Sequence, residues 1–351
     1  MIALILALPD PGVLSASHQG ERPTMEQTEL IVLATPRSGD PYYRAHYDSI
    51  IEFQRQFAEQ IVASGDRVLI LAERGQVNHF AGLGPNAKVS IAPQLDIWIR
   101  DYGTSNSEQP VMFRYTAEGQ GGGRQGQFDS DAVQERLASA ISATEARFRS
   151  TDWLNDGGNW VDDGAGRVVL SRKFLRDNEQ SERAARRALI QTYGLEAVAF
   201  IEADEQGGLE HADGVVAFLE PRLLVTNDYP DDPDYAAQLL DDLQRGLPDT
   251  EIHRIVTAYD GSVIMDERFG SACGLYTNML VTPERIYLPQ FGIDQDQIAL
   301  EQIRELTEKT VIPIPSGQVC GMGGGVRCLS WQLRGTMASG LWDQPIAQAP
   351  N

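Results

Sequence analysis

No run of apolar residues in this chain of 351 approaches the roughly 20 that a helix needs to cross a bilayer, so a helical membrane span is excluded. The early apolar stretch Ile2 to Leu8 has no Lys or Arg before it and is interrupted by Pro9 and Pro11. That is a poor signal peptide. Residues 1–24 are therefore expected to be a loose N-terminal extension or a poor leader, with residues 25–351 forming a single domain. Cysteine is scarce: only Cys273, Cys320 and Cys328 occur. No CxxC pair and no Cys/His cluster with zinc spacing appears, so a zinc module is excluded and no metal site is expected. The odd count in a long chain argues against a disulfide framework. It favours a reducing, cytoplasmic setting over secretion.

Basic residues are also few, 29 against 50 acidic ones, for a formal net charge of −21. A surface that negative repels nucleic acid and anionic membrane, and both are discounted as partners. It attracts cations weakly and at long range, but solubility alone accounts for it. The glycine run Gly321-Met-Gly-Gly-Gly-Val326 lacks the Lys-Ser/Thr of a phosphate loop and does not have G-x-G-x-x-G spacing. It reads as backbone that passes close to a ligand.

What the sequence does have is a repeat. Val161 to Ser171, Val215 to Thr226 and Asn278 to Pro289 each read as a hairpin, two short apolar strands around a turn. Helical segments follow at about 173–192, 232–246 and 294–308, and then strands at Ala197 to Ile201, Glu251 to Val256 and Thr310 to Ile314. The unit is strand–strand–helix–strand, recurring at roughly 55–65 residues, as in architectures built of radial or stacked units. Two earlier units fit less cleanly near residues 30–92 and 97–150. They contain a buried strand at Leu30 to Ala34, an amphipathic helix over 46–64 ending at Gly65, and strands at Val68 to Ala72 and Lys88 to Ala92. Five units fill the chain and would meet at a central axis. The alternative is an ordinary α/β sheet with coincidental spacing.

Polar residues cluster just before or within the first strand of each unit. They are Arg100-Asp101-Tyr102-Gly103, Asp156-Gly-Gly-Asn159, His211-Ala-Asp213-Gly214, Tyr276-Thr-Asn278 and Gly323-Gly-Gly-Val-Arg327-Cys328. Matching places in radial units would bring these groups to one cleft. In an extended segment His211 and Asp213 would share a face.

These segments, with Trp98-Ile99 before the first, Asp163-Gly164 after the second and Leu288-Pro-Gln-Phe-Gly292, occur in one order. In that order and spacing the chain resembles the agmatine deiminase and Porphyromonas-type peptidylarginine deiminase family of guanidino-group-modifying enzymes. The resemblance implies an α/β fold, the five-bladed propeller called a pentein, made of ββαβ units around a central active site. It implies a hydrolase with no cofactor and a small cationic guanidino substrate. Agmatine, giving N-carbamoylputrescine and ammonia, is the first expectation. Peptidyl- or free arginine giving citrulline, amidino transfer, and a non-catalytic guanidinium-binding protein are the alternatives. The resemblance makes Cys328 the nucleophile, His211 the acid and base, and Asp101 and Asp213 the carboxylates that hold the guanidinium. Trp98, Asp156 and Asn278 are expected at the substrate.

The chemistry suits these residue types. A thiolate must reach an electrophilic carbon. A planar guanidinium offers paired N–H donors to carboxylates. Two features depart from the family pattern. Arg327 stands directly before Cys328 where a histidine is common, and Thr104 replaces a usual proline. Arg327 is expected either to support the thiolate or to contact a substrate carboxylate. The number of chains in the assembly is not legible.

Overall fold

A computed structural model describes residues 29–106, 109–204 and 209–343. The expected loose extension, residues 1–24, lies outside the described residues. Among the described residues fifteen strands form five separate small sheets, one per unit, so the fold is a five-bladed α/β propeller.

The third blade shows the repeat in full. Val161–Asp162 pairs antiparallel with Arg167–Ser171, which pairs parallel with Ala197–Ile201 across the helix Glu182–Tyr193. Val216–Glu220, Leu223–Asn227 and Glu251–Ile255 repeat the pattern around the helix Pro233–Gly246. Leu280–Val281, Arg285–Gln290 and Thr310–Pro315 do so around Gln295–Leu306. The expected helix over 173–192 is two helices, Lys173–Asp177 and Glu182–Tyr193, because Ser181 caps the second by accepting the Ala184 N–H.

The two earlier units are irregular, as their sequences suggest. The second sheet holds only Val111–Arg114 and Arg149–Leu154, with a single bridge from Ser105 to Val111 in place of a first strand. The first blade takes its first strand from the other end of the chain. Trp331–Leu333 pairs antiparallel with Leu30–Ala34, which continues parallel to Arg67–Ala72 and Ala87–Ile91. The ring is thereby closed by the chain's two ends.

Each blade is held by apolar packing of its helix on its sheet. Along the helix Tyr47–Ala63, Ile50, Phe53, Phe57 and Ile61 recur every three or four residues and are all fully buried. Burial of side chains of this size stabilises by about 1.5–3 kcal/mol each. The helix stops where Gly65 takes a left-handed φ of 92°.

One expectation is corrected. Cys273 and Cys320 form a disulfide, with their Cα atoms 4.8 Å apart, and Cys328 is a free, buried cysteine. Low cysteine content misled because two cysteines 47 residues apart in sequence meet between neighbouring loops. The cysteine pattern thus no longer argues for a reducing compartment. No described helix is long and apolar enough to cross a membrane.

Candidate active site

The polar segments all fall at the start of the innermost strand of a blade, and that placement makes them converge. The four-residue helix Ile99–Tyr102 precedes Ser105, and the turn Gly157–Asn159 precedes Val161. The turn Ala212–Gly214 precedes Val216, Asn278 precedes Leu280, and Cys328 precedes Trp331. The turn Gly157–Asn159 packs against Ile99–Tyr102 on one side and Ala212–Gly214 on the other.

Trp98, Asp101, His211, Asp213, Asn278 and Cys328 line a single cavity of about 780 Å³, open solvent at its mouth included. Asp101, Asp213, Asn278 and Cys328 are all buried. The Cys328 sulfur lies 3.9 Å from Asp213 Oδ2 and accepts the Asn278 Nδ2–H at 3.1 Å. Asn278 thus holds the sulfur directly, and its Oδ1 accepts the Arg327 backbone N–H at 3.2 Å.

His211 sits between two carboxylates. Its Nε2 is 2.9 Å from Asp156 Oδ2 and its Nδ1 is 3.7 Å from Asp101 Oδ1. The segment is not extended as expected. Ala212–Gly214 forms a 3₁₀ turn, yet His211 and Asp213 still line the same cavity.

Glycines allow this crowding. The Gly158 N–H donates to Asp101 Oδ1 at 2.9 Å. A Cβ on Gly158 would stand 2.5 Å from His211 Nδ1 and 2.7 Å from Asp101 Oδ1. A Cβ on Gly324 would stand 2.9 Å from the Cys328 Cβ and would overlap the Trp98 ring. Trp98 and Cys328 are therefore neighbours across a residue with no side chain, and Trp98 walls the cavity while also packing on the core.

Burial and the carboxylates set the charges. Burial raises the Cys328 thiol well above the ordinary thiol range, and Asp213 and Asp101 push it further. Burial lifts Asp101 to about 7; the charge of His211 opposes this, and Asp156 and Asp213 add to it. Burial disfavours a charged His211, but Asp101 and then the Asp156 contact outweigh it and carry the ring up to about 9. Burial works against ionised Asp156 too, yet the bond and charge of His211 hold it below the usual carboxylate range. Burial and the carboxylates thus oppose ionisation of the Cys328 thiol, and the carboxylates favour the protonated form of His211.

Two expected substrate residues stand elsewhere. Asp156 does not line the cavity. It lies behind His211, fixed by the Thr116 N–H and hydroxyl, each at 2.8 Å. The Arg327 guanidinium is held elsewhere: its Nη1 donates to Asp213 Oδ2 and its Nη2 to Trp160 O, both at 2.8 Å. Its side chain lines a different cavity, so it is not placed to receive a substrate carboxylate at the sulfur.

Other lining residues carried no sequence signal. Tyr115, Asp204, Glu210 and Phe269 come from loops of three different blades, each without a local motif.

A buried cysteine, a histidine and two carboxylates meet where the blades of a five-bladed propeller converge, the arrangement that the resemblance to guanidino-group-modifying enzymes implies. The family model for Porphyromonas-type peptidyl-arginine deiminases matches residues 22–333, and the chain belongs to that family. A curated Enterococcus faecalis protein, provisionally named an agmatine deiminase, is 25% identical over 289 residues, covering 71% of this chain and 78% of the relative. Among solved structures, an E. faecalis agmatine deiminase superposes with a TM-score of 0.71 at 19% identity, covering 87% of this chain and 93% of that one. A substrate-bound, cysteine-to-serine agmatine deiminase of C. jejuni has a TM-score of 0.71 at 16% identity, with the same 87% and 93% coverage. At such identities the superpositions establish the fold.

Proposed function

We propose that the protein hydrolyses a guanidino group through a covalent Cys328 intermediate, and that its substrate is agmatine, converted to N-carbamoylputrescine and ammonia. One observation carries this reading. Cys328, His211, Asp101 and Asp213 line one cavity whose described lining contains no Lys or Arg.

The lining speaks to both ends of the substrate. Asp101 and Asp213, deep in the cavity, suit the guanidinium. Asp204 and Glu210 also line it but are partly exposed. They suit a second cation at the far end of the substrate. Agmatine has an ammonium there. Free arginine would bring a carboxylate to the end of the lining where Asp204 and Glu210 stand and where the described lining has no Lys or Arg. Glu210 already pairs with Arg176, and Asp204 accepts the Tyr229 hydroxyl at 3.0 Å, so both are held in place.

The reaction follows from these placements. The bound guanidinium brings positive charge beside Cys328 and offsets what keeps the thiol neutral, so the thiol releases its proton to solvent as the substrate binds. The thiolate attacks the guanidinium carbon, which Asp101 and Asp213 hold flat and close. The C–N bond breaks, and the leaving nitrogen takes a proton from His211 and departs as ammonia. His211 Nδ1, 3.7 Å from Asp101, is the less tightly held of the two ring nitrogens and supplies that proton. His211, now neutral, takes a proton from water, which adds to the amidino-thioether carbon. The C–S bond breaks and a neutral ureido product leaves.

The test is ammonia release from agmatine, free arginine and an arginine peptide, with Cys328→Ala as control. Agmatine turnover well above the other two, lost in Cys328→Ala, is expected. Faster release from arginine or the peptide would overturn the agmatine assignment. Release from none would overturn the hydrolase.

A further inference from the structure

Neighbouring residues at the axis face opposite ways. Asp101, Asn278 and Cys328 line the cavity already described, whereas Arg100, Met279 and Arg327 line a second one. The two cavities share no lining residue. The second measures about 730 Å³, open solvent at its mouth included, and is bounded by the innermost strands of the blades.

Its charged groups are nearly all matched. Arg327 is bonded to Asp213 and Trp160 O. Lys309 donates to Thr282 O at 2.9 Å and lies 3.5 Å from Glu220. Arg334 lies 3.3 Å from Glu29. Asp162 accepts from Trp160 Nε1 and the Gly164 N–H, and Asp163 Oδ1 from the amides of Ala165 and Arg167.

Arg100 is the cation of this lining with no carboxylate partner among the described residues, and Asp163 Oδ2 is likewise buried without a hydrogen bond there. Arg100 is 8% exposed. Among the described residues its only side-chain hydrogen bond is a long one, Nε to Arg327 O at 3.4 Å, and its buried Nη2 has no partner. No carboxylate stands within ion-pair distance of it among the described residues. A buried guanidinium donor without an acceptor is costly. Burial and then the neighbouring Arg327 lower Arg100 to about 9, so it still carries its proton at neutral pH.

We propose that this second cavity binds a small carboxylate, received by the Arg100 guanidinium with Arg327 beside it. A flat, singly charged carboxylate matches the planar fork of an arginine. The three carboxylates of the lining, Asp162, Asp163 and Glu220, weigh against a multiply charged anion such as phosphate. The site lies directly behind the catalytic residues, because the Arg100 backbone N–H donates to Cys328 O at 3.3 Å. Arg327 spans the wall between the cavities through Asp213. Occupancy therefore draws on the same guanidinium that steadies Asp213.

The test is binding to full-length Cys328→Ala protein at constant ionic strength, set with a bulky sulfonate anion. Acetate, chloride and phosphate are titrated separately, reading the thermal midpoint and ¹³C-acetate saturation-transfer NMR. Acetate should raise the midpoint saturably and show transfer, with phosphate at least tenfold weaker. Adding Arg100→Gln should weaken acetate at least tenfold. Val281→Phe, which fills the cavity from a partly exposed position, should do the same with both guanidiniums intact, and it serves if Arg100→Gln does not fold. No saturable acetate effect, equal shifts from all three anions, or binding unchanged in either folded variant would overturn the proposal. Turnover plays no part in this readout, so its failure says nothing against the deiminase reading.

Discussion

His211 Nε2 rests 2.9 Å from Asp156 Oδ2, and that carboxylate is itself clamped by the Thr116 amide and hydroxyl. Asp156 touches no part of the cavity, so whatever it contributes to catalysis passes through the imidazole. In the proposed mechanism it is a positioning residue that also favours the charged ring.

Asp156→Asn keeps the shape and removes the charge. His211 should fall from about 9 toward its ordinary 6.5, and the alkaline limb of the rate profile should move down by more than one pH unit. The loss in kcat should be about 10²-fold, the lower end for a general acid that is misplaced rather than removed. KM should change little. An unmoved alkaline limb would mean that Asp156 serves only the fold.

The acid limb of the wild-type pH profile should appear in kcat/KM, and the alkaline limb in kcat, where the bound cation has already released the thiol proton. Asp101 must be ionised to hold the cation, so activity falls as pH drops through about 7. His211 must be protonated to release ammonia, so activity falls as pH rises through about 9. Steady-state rates from pH 5 to 10.5 test this. A kcat profile still rising at pH 10 would remove His211 as the acid.

Gly324→Ala forces a methyl between the Trp98 ring and the Cys328 Cβ. Overpacking of this kind costs about 1–3 kcal/mol, which a denaturant melt would read. The larger effect should be on chemistry. A sulfur displaced by about 1 Å costs on the order of 10²-fold in rate, visible in single-turnover kinetics. Near-normal turnover would show that Trp98 and Cys328 have more room than their packing implies.

The Cys273–Cys320 disulfide joins the loop that supplies Phe269 to Leu275 to the loop that carries Met322, Gly323 and Cys328. Backbone bonds from Ala272 N–H to Cys320 O and from Met265 N–H to Gly321 O, at 2.9 and 2.8 Å, run beside it. Cys273→Ser with Cys320→Ser should lower stability by up to about 4 kcal/mol for a loop of this length. It should raise KM several-fold with a smaller effect on kcat, since the loops form walls rather than reacting groups. Dithiothreitol should reproduce that change in the wild type and do nothing further to the double variant. A KM equal in all these states would show that the hydrogen bonds alone hold the loops.

The residue order alone disclosed the repeat, because apolar alternation, turn residues and helical spacing are local signals that survive in any blade. It marked Cys328 through its glycines, and it marked Asp101, His211 and Asp213 because each opens an innermost strand, where the radial plan leads to the axis. The closure of the first blade by Trp331–Leu333 depends on two chain ends meeting, which no local pattern encodes. The same holds for the pairing of Cys273 with Cys320 and for the loop residues Asp204 and Glu210 at the cavity. Which way a side chain faces was likewise decided only in three dimensions. Arg327 and Cys328 are adjacent in the chain, as are Arg100 and Asp101, yet one of each pair looks into the catalytic cavity and the other into the cavity behind it. A single step of backbone at the axis reverses the direction of a side chain, and only the packing of neighbouring blades determines what lies on either side.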